Sequence, residues 1–278
     1  MRTLIMLPTY NEKENLEDLV TEILAVAPEV SILIIDDSSP DGTGAIALKL
    51  AKLHEQITVI ERPPKSGRGT ASTSGYKYAI NKGFDYYMEM DVEHSHSPKE
   101  LPAILEAAKN ADMVIASRFL KGGSVEGWNL KRRLLHLAAD IAVRLILGTP
   151  NTDHTNGYRC YRVGKLKKID FKKLSFDGYV AHTLLENIYH RAGYIIKEVP
   201  STFYSRTKGK SKMNKSEALE GIKNMIKFFI YCKAIYLVYG SVIFFYKTFK
   251  KRIIVCGISC ITPVIAFACV HDIIRKLF

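Results

Sequence analysis

No Cys-x-x-Cys spacing occurs anywhere in this sequence. Of its five cysteines, Cys160 stands alone, and Cys232, Cys256, Cys260 and Cys269 fall in an apolar C-terminal stretch. That pattern argues against a disulfide framework and a structural zinc site, and for a reducing compartment. Neither G-x-G-x-x-G nor G-x-x-x-x-G-K-[ST] follows the strand-like runs, which weakens dinucleotide and P-loop readings. The N-terminus has only a very short apolar run before Pro8, so no signal peptide is read and the body is expected to stay cytosolic. Acid is scarce relative to base: 28 acidic against 40 basic residues leave a net charge of +12. Such a balance suggests an anionic partner, whether nucleic acid, a phosphorylated substrate or an anionic membrane surface, and charge alone does not choose. The lysines come without the aromatic pattern of an RNA-recognition sheet, and no nucleic-acid partner is expected.

What is present is an alternation of short apolar runs with longer amphipathic ones. "TLIMLP" and "VSILIIDD" read as buried strands, and between them Leu16, Leu19, Val20, Ile23 and Leu24 have the spacing of one helix face. Strand, helix and strand in that order imply a parallel crossover. The pattern continues through "ITVIER", "YYMEMD" and "DMVIASRF", with helical stretches before each, which predicts an α/β fold of Rossmann-like character with a mainly parallel sheet. "TPNTDHTNGYRCYRV" reads as turn-rich, and "VAHTLLENIYHRAGYIIKEVP" as helix, glycine stop and strand. A domain over residues 1–216 is expected, followed by a membrane-associated region over 217–278. In that region one apolar run is broken by Lys233, and the next has no charge from Ile253 to Val270, the threshold length for a span. The basic "KTFKKR" between them favours an interfacial amphipathic helix followed by one transmembrane helix, with two spans as the alternative.

Ligands of open α/β sheets gather beyond the carboxyl ends of the strands. Three polar clusters fall there: "PTYNE" after the first strand, "DDSSPDGT" after the second and "MDVEHSHSP" after the fourth. Asp91 and Glu93 supply the oxygen donors that Mg²⁺ or Mn²⁺ prefers, although a D-x-E loop taken alone is more often a solvated turn. His94 and His96 have no third soft ligand nearby, so His96 is read as a hydrogen-bonding loop residue rather than a zinc ligand. In the second cluster Asp41 fits a turn and helix cap, and Asp37 fits a hydrogen bond to a nucleoside.

Taken in order and spacing, "PTYNE", "DDSSPDGT", "KSGRGTASTSGY", "MDVEHSHSP", "ASRF", "GGSVEGWNLKRRL", "TNGYRCY" and "SRTKGKSKM" resemble family-2 glycosyltransferases of the dolichyl- or polyprenyl-phosphate mannose synthase type, over about Thr3 to Met213. The resemblance implies a GT-A fold. It implies transfer of mannose from GDP-mannose to dolichyl or polyprenyl phosphate, with a UDP-sugar as the alternative donor for glucose or an N-acetylhexosamine. Carried over by motif, Pro8, Tyr10, Glu12 and Asp37 hold the nucleoside, with Lys65 and Arg68 beside it. Asp91 and Glu93 take the place of the metal-binding pair, with Ser95 near the Mg²⁺ or Mn²⁺, and Asp91 also belongs to the donor site. Arg118, Arg133, Arg206 and Lys212 clamp donor and acceptor phosphates. Glu93 stands where the family usually has Asp, and His94 where it usually has an apolar residue, two departures that bear on metal geometry and preference without abolishing the ligand set.

A lipid phosphate is already anionic near neutral pH and needs no strong base, so in-line attack with inversion is expected and no residue is assigned as a base. The resemblance also implies a membrane-bound enzyme facing the cytosol, at the endoplasmic reticulum of a eukaryote or the plasma membrane of a prokaryote. Accessory subunits or a homo-oligomer are compatible with it. A catalytically silent scaffold anchored by its tail is the competing class, and retention of both acids and the arginines argues against it.

Overall fold

The computed structural model describes residues 1–64, 67–169 and 180–205. Lys65, Arg206, Lys212, the cationic loop beyond Ser205 and the apolar runs of the 217–278 region all lie outside the described residues. Among the described residues no helix is long and apolar enough to cross a membrane.

The first strand, β1 (Thr3–Thr9), is followed by α1 (Leu16–Val26), β2 (Ser31–Asp36), α2 (Thr43–Leu53), β3 (Ile57–Glu61), α3 (Arg68–Asn81) and β4 (Tyr86–Glu89). A single turn of 3₁₀ helix at Pro98–Glu100 leads into α4 (Leu101–Ala108), then β5 (Met113–Ser117), β6 (Ser124–Glu126), α5 (Leu130–Leu147) and β7 (Arg159–Arg162). The described chain continues through α6 (Val163–Leu166), α7 (Val180–Arg191), β8 (Ile196–Pro200) and β9 (Thr202–Tyr204). Seven strands form one sheet in the order β3-β2-β1-β4-β7-β5-β8, and β6 pairs with β9 in a small second sheet. Within the large sheet β7 runs antiparallel to both neighbours, while the other pairings are parallel.

The strands are apolar on both faces because helices cover both. Ile5, Leu7, Ile32 and Ile34 pack with Leu16, Leu19, Ile23 and Leu101 on one side. Leu4, Met6, Leu33 and Ile35 pack with Ala71, Tyr76 and Leu185 on the other. In α1 the buried set Leu16, Leu19, Val20 and Ile23 is the predicted stripe, and the helix stops two residues short of Pro28. The three loops carrying the polar clusters therefore leave from the carboxyl ends of β1, β2 and β4, which are adjacent in the sheet.

The segment read from sequence as turn-rich holds a central strand instead. Its residues Arg159, Cys160, Tyr161 and Arg162 show no apolar run, yet they insert between β4 and β5. Arg159 tolerates the interior because every part of its guanidinium is used. Nε donates to the Asn156 carbonyl at 2.7 Å, Nη1 to the His182 carbonyl at 3.0 Å, and Nη2 to the Asp153 carbonyl at 3.2 Å and Glu186 Oε2 at 3.1 Å. Removing one partner of a buried pair leaves the other uncompensated. Arg159→Met is expected to lower stability by about 3–5 kcal/mol in chemical denaturation; a loss under about 1 kcal/mol would show that the strand ladder alone holds β7.

Candidate functional site

The loops after β1 and β2 are tied to each other before they can hold anything else. Thr9 Oγ1 donates to Asp36 Oδ1 at 2.8 Å, and Ser39 N donates to Asp36 Oδ2 at 2.9 Å, so the buried Asp36 serves the loops. Asn11 N donates to Ser39 Oγ at 3.0 Å, and Glu12 N to Thr43 Oγ1 at 2.9 Å. Asp41 accepts from Thr43 N and Lys13 N, in keeping with its reading as a turn and cap residue. Pro8 and Tyr10 are half-buried, and Glu12 is buried and accepts from Asn15 Nδ2 at 2.8 Å. Asp37 is occupied by a partner that sequence reasoning did not name. Arg62, at the end of β3, donates through Nε at 2.9 Å and Nη2 at 2.5 Å, and Gly67 N adds a bond at 3.2 Å to Asp37 Oδ2. Asp37 thus pins the start of α3 to the end of β2.

The cluster after β4 is built around a neutral histidine. His96 Nδ1 accepts from Asp91 N at 3.4 Å, so the proton sits on Nε2, which meets Asn156 Oδ1 at 2.9 Å. The ring stacks on Tyr158 with centroids 4.7 Å apart. Burial pulls its pKa down to about 4, against the pull of Asp91. This fits the sequence reading of His96 as a loop-holding residue. Ser95 is buried, donates to Glu93 Oε1 at 3.2 Å, and its carbonyl accepts from Tyr204 N of β9 at 3.1 Å.

Asp91 is buried and ion-paired with Arg68 through Oδ1 and Nη1. Burial alone raises its pKa, but the Arg68 charge and the His96 ring carry it below the ordinary carboxylate value. Behind it lies Glu89, fully buried, which accepts from Ser72 Oγ at 2.9 Å and Tyr87 Oη at 3.2 Å and whose pKa burial raises. Asp91 and Glu93 suit a hard divalent ion by donor type, and an Asp91 oxygen already holds a cationic group. Among the described residues no group of three or more His, Cys, Asp or Glu gathers to hold a metal.

Arg118, expected to clamp phosphates, lies buried at the end of β5. It forks onto Asp153, with Nε to Oδ2 and Nη2 to Oδ1 both at 2.7 Å, while its own amide donates to Oδ2 at 3.0 Å. The rings of Phe119, Trp128 and Phe203 surround it at 5.3, 5.5 and 5.6 Å. Arg133 is exposed on α5 and bonds the Val125 carbonyl at 2.6 Å. The structure thus brings Pro8, Tyr10, Glu12, Asp37, Arg68, Asp91, Glu93 and Ser95 to one end of the sheet. Sequence reasoning missed the partners behind the site: Arg62 on Asp37, Asp153 and Phe203 on Arg118, and Asn156 on His96. Asp153 and Asn156 lie in or beside the quoted "TNGYRCY" motif, the one signal that marks them.

The three non-glycine residues with positive φ among those described are Asn11, Ser38 and His94, at φ 55°, 50° and 56°. One falls in each polar cluster. Backbone held in this sparsely populated region gathers at binding sites, where surrounding contacts enforce it.

Burial raises the pKa of Asp153, but its bonds to Arg118 outweigh that and hold it at about 2. The folded value lies below the unfolded one, so the stabilisation is complete above the unfolded pKa and disappears as pH falls through the folded value. About 2 kcal/mol is expected to vanish between pH ~4 and ~2. Asp153→Asn should be less stable at pH 7 and should flatten that acid limb; an unchanged acid limb would remove Asp153 as its source.

The chain matches the description "Glycosyl transferase family 2" over residues 4–170. It is 37% identical over 227 residues to an undecaprenyl-phosphate mannosyltransferase of Micrococcus luteus, covering 82% of this chain and 93% of that protein. It is 40% identical over 223 residues to a polyprenol monophosphomannose synthase of Mycolicibacterium smegmatis, covering 80% and 84%. Among solved structures, glucosyl-3-phosphoglycerate synthase of Mycobacterium tuberculosis with UDP superposes with a TM-score of 0.54 at 16% identity, covering 78% of this chain and 74% of that one. A mannosyltransferase of Pyrobaculum calidifontis, solved with GDP-Man and Mn²⁺, gives 0.50 at 16% identity, covering 76% and 58%. These likenesses agree with the GT-A sheet. The matched sheet, the clusters at its carboxyl ends and relatives of this similarity together establish that the chain belongs to glycosyl transferase family 2, and that within it the chain resembles the polyprenyl-phosphate mannose synthases.

Proposed function

We propose that this protein transfers mannose from GDP-mannose to a polyprenyl or dolichyl phosphate, with inversion at the anomeric carbon. The observation that carries this reading is the set of polar clusters on adjacent strand ends with the cation-holding Asp91 at its centre, in a chain whose relatives are polyprenyl-phosphate mannosyltransferases. Pro8, Tyr10, Glu12 and the Arg62-bound Asp37 form the nucleoside side, with Lys65 and Arg68 next to it. Asp91 and Glu93, with Ser95 supporting, would hold Mg²⁺ or Mn²⁺. That ion supplies neutralisation of charge on the departing nucleoside diphosphate.

The acceptor phosphate attacks the anomeric carbon from the face opposite the leaving diphosphate, so an α-linked donor yields a β-linked product. The chain's part is positioning and charge stabilisation, with Arg133, Arg206 and Lys212 on the phosphates. Arg118 is locked on Asp153, which favours a role in shaping the aromatic cluster and adding positive potential. Purified protein supplied with polyprenyl phosphate is expected to transfer mannose from GDP-mannose with Mg²⁺ or Mn²⁺ and to stop with chelator. Asp91→Ala should lower the rate by at least ~10²-fold with an unchanged far-ultraviolet spectrum. Transfer from UDP-glucose or UDP-N-acetylglucosamine alone would replace the sugar assignment, and full activity of Asp91→Ala would remove the site assignment.

The protein is also proposed to work at a membrane, with residues 1–216 catalytic and cytosolic and residues 217–278 as its anchor. Two observations support this: the uncharged stretch from Ile253 to Val270, and a stripe of exposed Leu130, Leu134, Leu137 and Ile141 along α5. Their spacing puts these side chains on one helical face, with Arg133 beside it. The full chain is expected to co-float with vesicles containing anionic lipid, and Leu134→Glu/Leu137→Glu to weaken that binding. Recovery of the wild type only in the soluble fraction would contradict membrane association.

A further inference from the structure

The acidic loop after β4 and the aromatic cluster around Arg118 are joined by a very short strand. β9 has three residues and pairs with the three residues of β6 in a two-stranded sheet. A ladder that small has little stability of its own, so its seat on the rest of the molecule depends on further ties. The acid among them is Glu100, the last residue of the Pro98–Glu100 turn that follows the acidic loop. Glu100 Oε2 accepts from Ser201 Oγ at 2.6 Å and Oε1 from Thr202 N at 2.9 Å, so one carboxylate grips the residue before β9 and the first residue of the strand. Ser201 is buried, and its hydroxyl bond has the length of a charge-assisted one. At the other end Tyr204 N donates to the Ser95 carbonyl at 3.1 Å. Both ends of β9 are thus fastened to residues 95–100.

Between those ends sits Phe203. Its ring lies 5.9 Å from the His96 ring and 5.7 Å from that of Trp128, edge-on to both, and 5.6 Å from the Arg118 guanidinium carbon. His96 fixes the amide of Asp91, and Arg118 lies at the heart of the aromatic cluster. Phe203 therefore touches both groups.

We infer that Glu100 is a positioning residue for the transfer reaction: by seating β9 it holds Phe203 between the Asp91 loop and the Arg118 cluster, and so sets the alignment of the acceptor phosphate with the donor. The inference rests on the reading of the chain as a transferase between two phosphates, and adds to it a residue that touches neither. The bonds described for the nucleoside side run elsewhere, through Asp36, Ser39, Thr43 and Arg62. Loosening β9 disturbs the alignment of the reacting groups and leaves nucleotide binding as it was. Alignment is where small displacements are costly in rate.

Trp128 is the only tryptophan of the chain, so its fluorescence reports on the ring packed against Phe203. In the full-length protein in detergent, Glu100→Ala is expected to shift that emission to the red and to raise its quenching by acrylamide. The same variant should lower kcat/KM for polyprenyl phosphate by about tenfold or more, while the affinity for GDP in titration calorimetry stays at the wild-type value. Ser201→Ala, which removes only the hydroxyl bond, should move emission and kinetics the same way by less. Phe203→Leu should reproduce the kinetic loss. Glu100→Gln should restore most of both readouts, because its amide donates to Ser201 Oγ and accepts from Thr202 N. Wild-type kinetics in Glu100→Ala overturns the inference whatever the emission does, and a kinetic loss with unchanged emission overturns the route through β9. Parallel loss of GDP affinity and transfer also overturns it, since that marks general loosening of the domain. A wild type that transfers no sugar to the lipid phosphate overturns the proposed function itself, and this inference with it.

Discussion

The buried guanidinium of Arg159 is the interaction on which the site end of the molecule depends. It sits at zero exposure in an antiparallel strand, and Glu186 of α7 faces it, also fully buried. Desolvating two such charges is costly, and only complete hydrogen bonding in a tight geometry offsets it. Here the remaining donors bind the carbonyls of Asp153, Asn156 and His182, while His154 and Asn151 satisfy the other Glu186 oxygen, each at 2.8 Å. One charge pair thus orients the loop before β7 and the helix α7 together. Asp153 and Asn156, which hold Arg118 and His96, are delivered by that loop.

From this anchor the site is reached through hydrogen bonds in series. Asn156 joins the Ala116 carbonyl on β5 to the His96 ring, and His96 in turn accepts from the amide of Asp91. The backbone entering the acidic loop is thereby fixed without any use of the Asp91 carboxylate, which stays available to cations. The same economy holds at β2, where Asp36 serves the loops and Asp37 serves Arg62. Residues adjacent in sequence are divided between structural and charge-bearing duty.

Charge complementarity then explains why so basic a chain keeps an acidic loop. Three buried acids at this end face an arginine: Asp37 has Arg62, Asp91 has Arg68 and Asp153 has Arg118. In low-dielectric surroundings such pairs hold both members charged and preorganised. Under the proposed function, donor and acceptor phosphates entering there would meet the positive potential these pairs supply.

Local sequence carried the alternation of strands and helices, because period-2 and period-3.6 patterns of apolar residues are short-range properties. It also carried the position of the polar clusters, since a turn residue after an apolar run marks the end of a strand whatever the strand's neighbours. The quoted motifs added the family, which the matched relatives uphold. Strand β7 was not legible, because its arginines look like surface until Glu186, 27 residues onward, is brought opposite Arg159. The partners of Asp37 and Asp91 escaped for the same reason. Arg62 reaches Asp37 because β3 lies beside β2, and Arg68 reaches Asp91 because α3 crosses toward β4. What the sequence determined by itself was the elements and their chemistry, through patterns a few residues long. Only the tertiary structure decided which charge meets which, because strand order and burial set those pairings, and neither is written in any local stretch of chain.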